Sequence, residues 1–326
     1  MQPHLARARR DGRSEHPAAP EAEPAPVAVG PAVPALGAGV SALVEMLGEG
    51  LHPDVPFDAY LGNCCPGPSV SGSTLFRLHD ECPAKALASH YLSPWPREDD
   101  DTEDKSFGTA AHCYLIEGKE VFAERYAVKP EDMTFSTKEG KAWRAENADK
   151  TIVSFRDVER LAGMAIGLST NEGTAHAFEG GAAEVTGIAK DAETGLWLKV
   201  RPDYLRPKLA INYKTTRSAA REAWTRQAWN LGYCVSAALC VDVLAQLGQP
   251  LHYAFITQEK TVPYLAVARV LSDDHLQAGR MIYRRALRTF ADCVASGKWP
   301  GYSEGVETIP YPAWAERILA DINSPL

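Results

Sequence analysis

Between Ala182 and Thr216 the apolar residues change from a helical to a strand-like spacing, and this change of period constrains the fold most. Ala182–Lys190 and Leu196–Arg201 read as a hairpin that turns through Asp191–Gly195. Leu209–Lys214 reads as a third strand, entered through Pro207. The segments on either side are helical. Upstream, Ser71 or Ser73 can cap a helix through Leu75 and Leu78, and Pro83 suits a first helical position. Phe107–Glu117 keeps Phe107, Ala111, Tyr114 and Leu115 on one face and meets a stop at Gly118. Ser136–Glu139 and Ser154–Asp157 resemble capping boxes, the second opening a helix with Val158, Leu161, Ala165 and Leu168 on one side. Downstream, a helical region runs from Ser218 to Ala245 with a bend near Gly232. Strands over Leu251–Thr257 and Leu265–Val270 and a helix over Asp273–Ala295, stopped at Gly297, complete the pattern. Helices, a strand meander, a helix, more strands and a helix predict an α/β (α+β) fold. Its core is a central mixed β-sheet flanked by helices.

The 326 residues carry a net charge of −8 and 45% hydrophobic residues, the composition of a globular chain. No apolar run reaches the ~18–20 residues that span a bilayer, and no secretory pattern opens the chain. The expectation is a cytoplasmic protein without membrane contact. The seven cysteines are odd in number, and only Cys64 and Cys65 are close together, so free thiols are expected rather than a disulfide framework or a zinc–thiolate site. Residues 1–36, rich in Ala and Pro, are expected to be disordered. Val40–Leu47 adds a short helix, and residues 37–70 as a whole form an irregular lead-in. The run Glu98–Asp104 reads as a solvated acidic loop, because it lacks the ligand spacing and central glycine of a calcium loop. The folded body occupies 71–326.

Charge is distributed unevenly. Residues 199–226 hold eight basic side chains against two acidic ones, inside an acidic chain. A basic zone in an acidic protein focuses phosphate binding without general adhesion to nucleic acid. Arg201, Arg217, Arg221 and Arg226 are candidate DNA contacts, although the last three fit a solvated helix face equally well. Within the same zone Asn212 and Lys214, two apart on a strand, share a face. Asp203 follows the preceding strand, and Glu184 lies on the strand before that. If these strands are neighbours, the side chains converge at one sheet edge. Carboxylates so clustered bind Mg²⁺ or Mn²⁺, which activates water and offsets charge on a scissile phosphate. A lysine beside them stabilises that charge. Singly, Asp203 reads as a turn cap and Lys214 as an exposed strand lysine; the joint pattern gives the chemistry.

Glu184, the triplet Arg201-Pro202-Asp203 and the run ending Lys214-Thr215-Thr216 resemble the PD-(D/E)xK nuclease superfamily. More narrowly, they are similar to the nuclease domain of the exodeoxyribonuclease VIII (RecE-like) family of phages and prophages. Supporting elements extend over residues 71–302. They are Ser71–Leu75 with Cys82-Pro83, Gly108-Thr109-Ala110-Ala111-His112, Gly232-Tyr233, Gln258-Glu259-Lys260 with Pro263-Tyr264, and Trp299-Pro300-Gly301-Tyr302. The resemblance implies a restriction-endonuclease-like core and a metal-dependent exonuclease acting on double-stranded DNA ends. It also implies a single-strand annealing partner and self-association. By position it makes Lys214, Asp203 and Glu184 catalytic and makes His112, Asp203 and Asn212 the metal ligands. Free of the resemblance, His112 reads as an ordinary helix histidine.

Two departures stand in the active region. Asn212 occupies the acidic position of the (D/E)xK triplet, and Ser236 and Cys240 stand where the family has Gln and Tyr. An amide oxygen still coordinates a cation but brings no charge. Two readings therefore follow: a nuclease that uses Asn212 as a neutral ligand, or a non-catalytic DNA-binding recombination accessory derived from one. Cys82 early and Cys293 late are too few for the iron–sulfur cluster of some relatives, so no cluster is expected. A metabolic α/β enzyme has no support from a Gly-rich phosphate loop or a Gly-x-Ser-x-Gly elbow.

Overall fold

The computed structural model describes residues 46–96 and 102–323. The segment expected to be disordered and most of the helix expected over Val40–Leu47 lie outside these residues. So does most of the acidic run, whose last members, Glu103 and Asp104, open a helix. The strands are β1 (Gly50–His52), β2 (Ser69–Ser71), β3 (Tyr126–Lys129), β4 (Thr151–Ser154), β5 (Ala182–Ala183), β6 (Thr186–Lys190), β7 (Trp197–Val200), β8 (Tyr204–Arg206), β9 (Leu209–Thr216), β10 (His252–Glu259) and β11 (Ala266–Val270). The helices before the meander are α1 (Phe57–Leu61), α2 (Gly72–Asp80), α3 (Pro83–Ala88), α4 (Glu103–His112), α5 (Lys119–Arg125), α6 (Lys138–Glu146) and α7 (Phe155–Thr170). Those after it are α8 (Arg221–Asn230), α9 (Tyr233–Gln246), α10 (Asp273–Ser296) and α11 (Ala313–Asn323). A π-turn, Cys113–Glu117, extends α4.

The expected hairpin forms, with Gly187 opposite Val200 and Lys190 opposite Trp197. It does not stay in one sheet. β6 and β7 belong to a four-stranded sheet of order β1-β6-β7-β2, whereas β5 and β8 belong to a five-stranded sheet of order β11-β10-β9-β8-β5. The single central sheet of the sequence reading is thus divided, and both arms of the hairpin cross between the halves. One arm crosses at Glu184-Val185 and the other at Arg201-Pro202-Asp203. Pro202 cannot donate to a ladder, and Glu184 takes a left-handed φ of 58°, so neither arm continues its pairing through the corner. The lead-in is also more ordered than expected. β1 pairs antiparallel with β6, and β2 pairs parallel with β7.

β9 and β10 run parallel over eight residue pairs, His252 opposite Leu209 through Glu259 opposite Thr216. Such a pair needs a long crossover, which α8 and α9 supply. One face of this sheet packs on α9, which packs in turn on α2 and α10, in a cluster that includes Leu75, Leu239, Phe255, Leu287 and Phe290. The other packs on α4 and α7 through Phe107, Leu161, Met164, Ile211, Tyr213 and Ile256. α9 is buried along most of its length, as the apolar, nearly all-round sequence of a core helix requires. Among the described residues no single helix is long and apolar enough to cross a membrane.

The motifs outside the meander brace it. Gln258, fully buried, accepts from the Tyr213 hydroxyl at 2.7 Å and donates to Met164 O at 2.7 Å, which ties β9 and β10 to α7. Trp299 packs edge-on against Phe290, and Pro300 O accepts from Ala84 N at 3.1 Å. Ser154 caps α7 through Asp157 N at 3.0 Å, and Thr137 caps α6 through Gly140 N at 3.0 Å. The seven cysteines are buried free thiols.

The helices α8 and α9 meet at 72°, and Gly232 makes the corner at φ 65°. A β-carbon on Gly232 would lie 2.1 Å from Phe76 Cγ. Gly232→Ala is expected to destabilise the fold by at least about 1–2 kcal/mol, the cost of the left-handed backbone alone. Urea unfolding compared with wild type measures it.

Candidate active site

The sheet corner sets the positions of two carboxylates. Glu184 N donates to Asp203 O at 3.1 Å, so the two crossing points are bonded to each other. Asp203 is held on three sides. Its amide donates to Asn212 Oδ1 at 3.2 Å, its Oδ2 accepts from Tyr213 N at 2.6 Å, and Lys214 Nζ stands 3.6 Å from the same oxygen. β9 therefore carries Asn212 and Lys214 to the corner on one face, while Ile211 and Tyr213 point into the core.

His112, the last residue of α4, closes the cluster. Its Nε2 lies 3.0 Å from Glu184 Oε1 and 3.5 Å from Asp203 Oδ1. One ligand atom from each of His112, Glu184 and Asp203 falls within 4.8 Å of the others. The outer oxygen of Glu184 is taken by Arg201 Nε, and Arg201 Nη1 donates to Val55 O at 2.6 Å. Arg201 also lies over the rings of Phe57 and Tyr60. Burying an unpaired charge is costly, and here each charged group meets one of opposite sign. Burial opposes the His112 imidazolium, yet the carboxylates of Asp203, Glu117 and Glu184 outweigh it and raise its pKa to about 11. Burial likewise works to raise that of Asp203, but the charge of Lys214 and the contact with His112 leave it below the usual carboxylate range.

The sequence-predicted residues divide by place. His112, Glu184, Asp203 and Lys214 come together. Asn212 adjoins them, with its amide oxygen accepting from the Asp203 backbone. Arg201, expected to meet DNA, instead faces Glu184 with only 10% of its side chain exposed. Arg217 stands at the cleft mouth, 3.7 Å from Asp104. Arg221 and Arg226 are exposed on α8, outside the cleft lining. Sequence reasoning missed Glu117, whose Oε1 is 3.7 Å from His112 Nδ1, and Lys260, which pairs with Asp104 at 2.8 Å. It also missed Val55, Phe57 and Tyr60 of the lead-in. Lys260 had a signal in the Gln-Glu-Lys motif; the lead-in had none.

These groups floor a cleft of about 1770 Å³ lined by residues from the lead-in, α4, α5, β9 and α8. That is larger than the ~300–1,000 Å³ of a small-molecule pocket. A family model described as a PDDEXK-like domain of unknown function (DUF3799) matches residues 71–311, most of the chain. The chain belongs to the DUF3799 family. It is thus a member of the PD-(D/E)xK superfamily with the restriction-endonuclease-like fold. The crystal structure of a provisionally named exonuclease from Eubacterium rectale is similar, with a TM-score of 0.51 at 12% identity, covering 82% of this chain and 95% of that one. At that identity the likeness is one of fold. No curated protein matches. In this DUF3799 member, two carboxylates and an imidazole with converging donor atoms fit a divalent cation. The oxygens suit Mg²⁺ and Mn²⁺, and the nitrogen favours Mn²⁺ of the two.

The raised pKa of His112 has a signed consequence for stability. The folded value lies above the unfolded one, so the protonated ring contributes stability fully below its ordinary pKa, and that contribution declines as pH rises toward 11. In chelator, the excess stability of wild type over His112→Gln is expected to shrink between about pH 6.5 and about pH 11. Denaturant midpoints across that range measure it, and a constant difference would remove the ion-pair cluster as its source.

Proposed function

We propose that this chain is a divalent-metal-dependent deoxyribonuclease that degrades duplex DNA from its ends, like the exodeoxyribonuclease VIII enzymes of phage and prophage recombination. The observation that carries the reading is the convergence of His112 Nε2, Glu184 Oε1 and Asp203 Oδ1 beside Lys214 on the floor of a wide cleft. These three side chains would hold Mg²⁺ or Mn²⁺, which lowers the pKa of water and offsets charge at the phosphate. The rest is the work of the chain. Arg201 and the Asp203 backbone fix Glu184. Lys214, kept by Asp203 Oδ2 on one side and the Tyr233 ring on the other, places a cation where the scissile phosphate gains charge. Arg217, exposed in the cleft lining, meets the backbone phosphates. On the same resemblance the setting is the cytoplasm of a bacterial or phage-infected cell, with an annealing protein and further copies of the chain as partners.

One observation favours a second reading, a non-catalytic DNA-binding accessory. The acidic position of the triplet holds Asn212, and its amide oxygen already accepts from the Asp203 amide. The cluster then carries one anionic group fewer than the family pattern supplies.

Incubating the purified chain with linear duplex DNA and Mg²⁺ or Mn²⁺ separates the two. Wild type is expected to release nucleotides. Lys214→Ala and Asp203→Ala are expected to lose about 10²-fold or more, the scale of removing a charge-stabilising group. Asn212→Asp is expected to raise the rate. An inert wild type restored by Asn212→Asp would establish the accessory reading, and unchanged cleavage by Lys214→Ala would sink the assigned site.

A further inference from the structure

His112 has two ring nitrogens, and only Nε2 faces the acidic pair. On the opposite edge Nδ1 lies 3.7 Å from Glu117 Oε1. Glu117 is itself clamped, with Arg125 Nη1 3.0 Å from Oε1 and 2.8 Å from Oε2. The Glu117 side chain is 15% exposed and that of Arg125 58%. An inward carboxylate is thus held from the surface by an arginine.

The backbone explains why these groups meet. On an α-helix, residues five apart are separated by roughly 140° around the axis, and position 117 would point away from His112. The helix does not continue as α. After His112 it widens into the π-turn, in which Gly118 N donates to Cys113 O at 3.0 Å, and Gly118 ends it at φ 107°. The extra residue in the turn brings Glu117 back toward the histidine. Single π-turns of this kind recur at functional sites.

A neutral imidazole that ligates a cation presents a lone pair at one nitrogen, so its proton sits on the other. An acceptor beside that second nitrogen fixes both the tautomer and the ring plane. We infer that Glu117 is the positioning residue for His112: its Oε1, 3.7 Å from Nδ1 in this structure, is the acceptor that keeps the proton on Nδ1 and so presents Nε2 to a divalent cation shared with Glu184 and Asp203. Arg125 holds Glu117 to this task and keeps it from entering the ligand set. The inference rests on His112 being a metal ligand, as proposed above.

Calorimetric titration of the full chain with Mn²⁺, without DNA, tests it. Glu117→Ala is expected to weaken binding about tenfold, the lower end for loss of a group that orients a metal ligand. Glu117→Gln, which keeps an acceptor of the same shape, is expected to stay within about threefold of wild type. Arg125→Ala, which frees Glu117 without removing it, keeps the test open should Glu117→Ala fold poorly, which thermal unfolding in chelator reveals. Arg125→Ala is expected to fall between the two. Glu117→Ala binding within about twofold of wild type would overturn the inference. So would a His112→Ala variant that binds as well as wild type, since no ligand would remain to be oriented. Intact Mn²⁺ binding without DNA cleavage would count against the nuclease reading alone.

Discussion

The single backbone hydrogen bond from Glu184 N to Asp203 O is the contact on which the site depends. It joins two strands at the point where both leave one sheet and enter another. Side chains on a regular ladder alternate across the sheet and cannot all turn toward one point. A corner releases them from that alternation. The left-handed turn at Glu184 and the proline before Asp203 are the local means, and the bond between them keeps the two irregularities in register.

Assembling charges at such a corner carries a desolvation cost, and the neighbours show how it is offset. Glu184 is shared between His112 and Arg201, and Asp203 between His112, Lys214 and the Tyr213 amide. Each carboxylate keeps an oxygen turned to the imidazole while its other oxygen is engaged by a fixed donor. The cations and amides set direction as well as charge, and direction is what a metal site requires of its ligands.

Much of this was legible in the chain itself. Alternation predicted the hairpin, and it forms in the expected register region because Gly195 and the Asp191 turn close it. Capping residues predicted α7 at Ser154 and α6 one residue early, at Ser136 rather than Thr137, and Gly232 predicted the bend between α8 and α9. The family pattern drew His112, Glu184, Asp203 and Lys214 from four separate segments, and these meet. What the sequence hid were features without a local signature. Nothing in the spacing of Ala182–Thr216 says that the sheet divides, because both halves alternate alike. The π-turn depends on which carbonyl Gly118 finds, and helical periodicity does not register one extra residue. Arg201 read as an outward contact because its partners, Glu184 and the carbonyl of Val55, come from distant parts of the chain.

Those distant partners bear on where the working unit begins. The family match starts at Ser71, and every residue of the nuclease pattern lies beyond it. Yet Val55 O receives Arg201, Tyr60 and Gly62 carbonyls receive the buried Lys199 ammonium, and β1 covers the open edge of β6. A fragment excised at the match boundary would retain the whole motif while exposing that edge, with its unpaired amides, and releasing the arginine that steadies Glu184. The boundary of the recognisable domain therefore cuts through contacts that support the site, and a length set by sequence likeness differs from one set by packing.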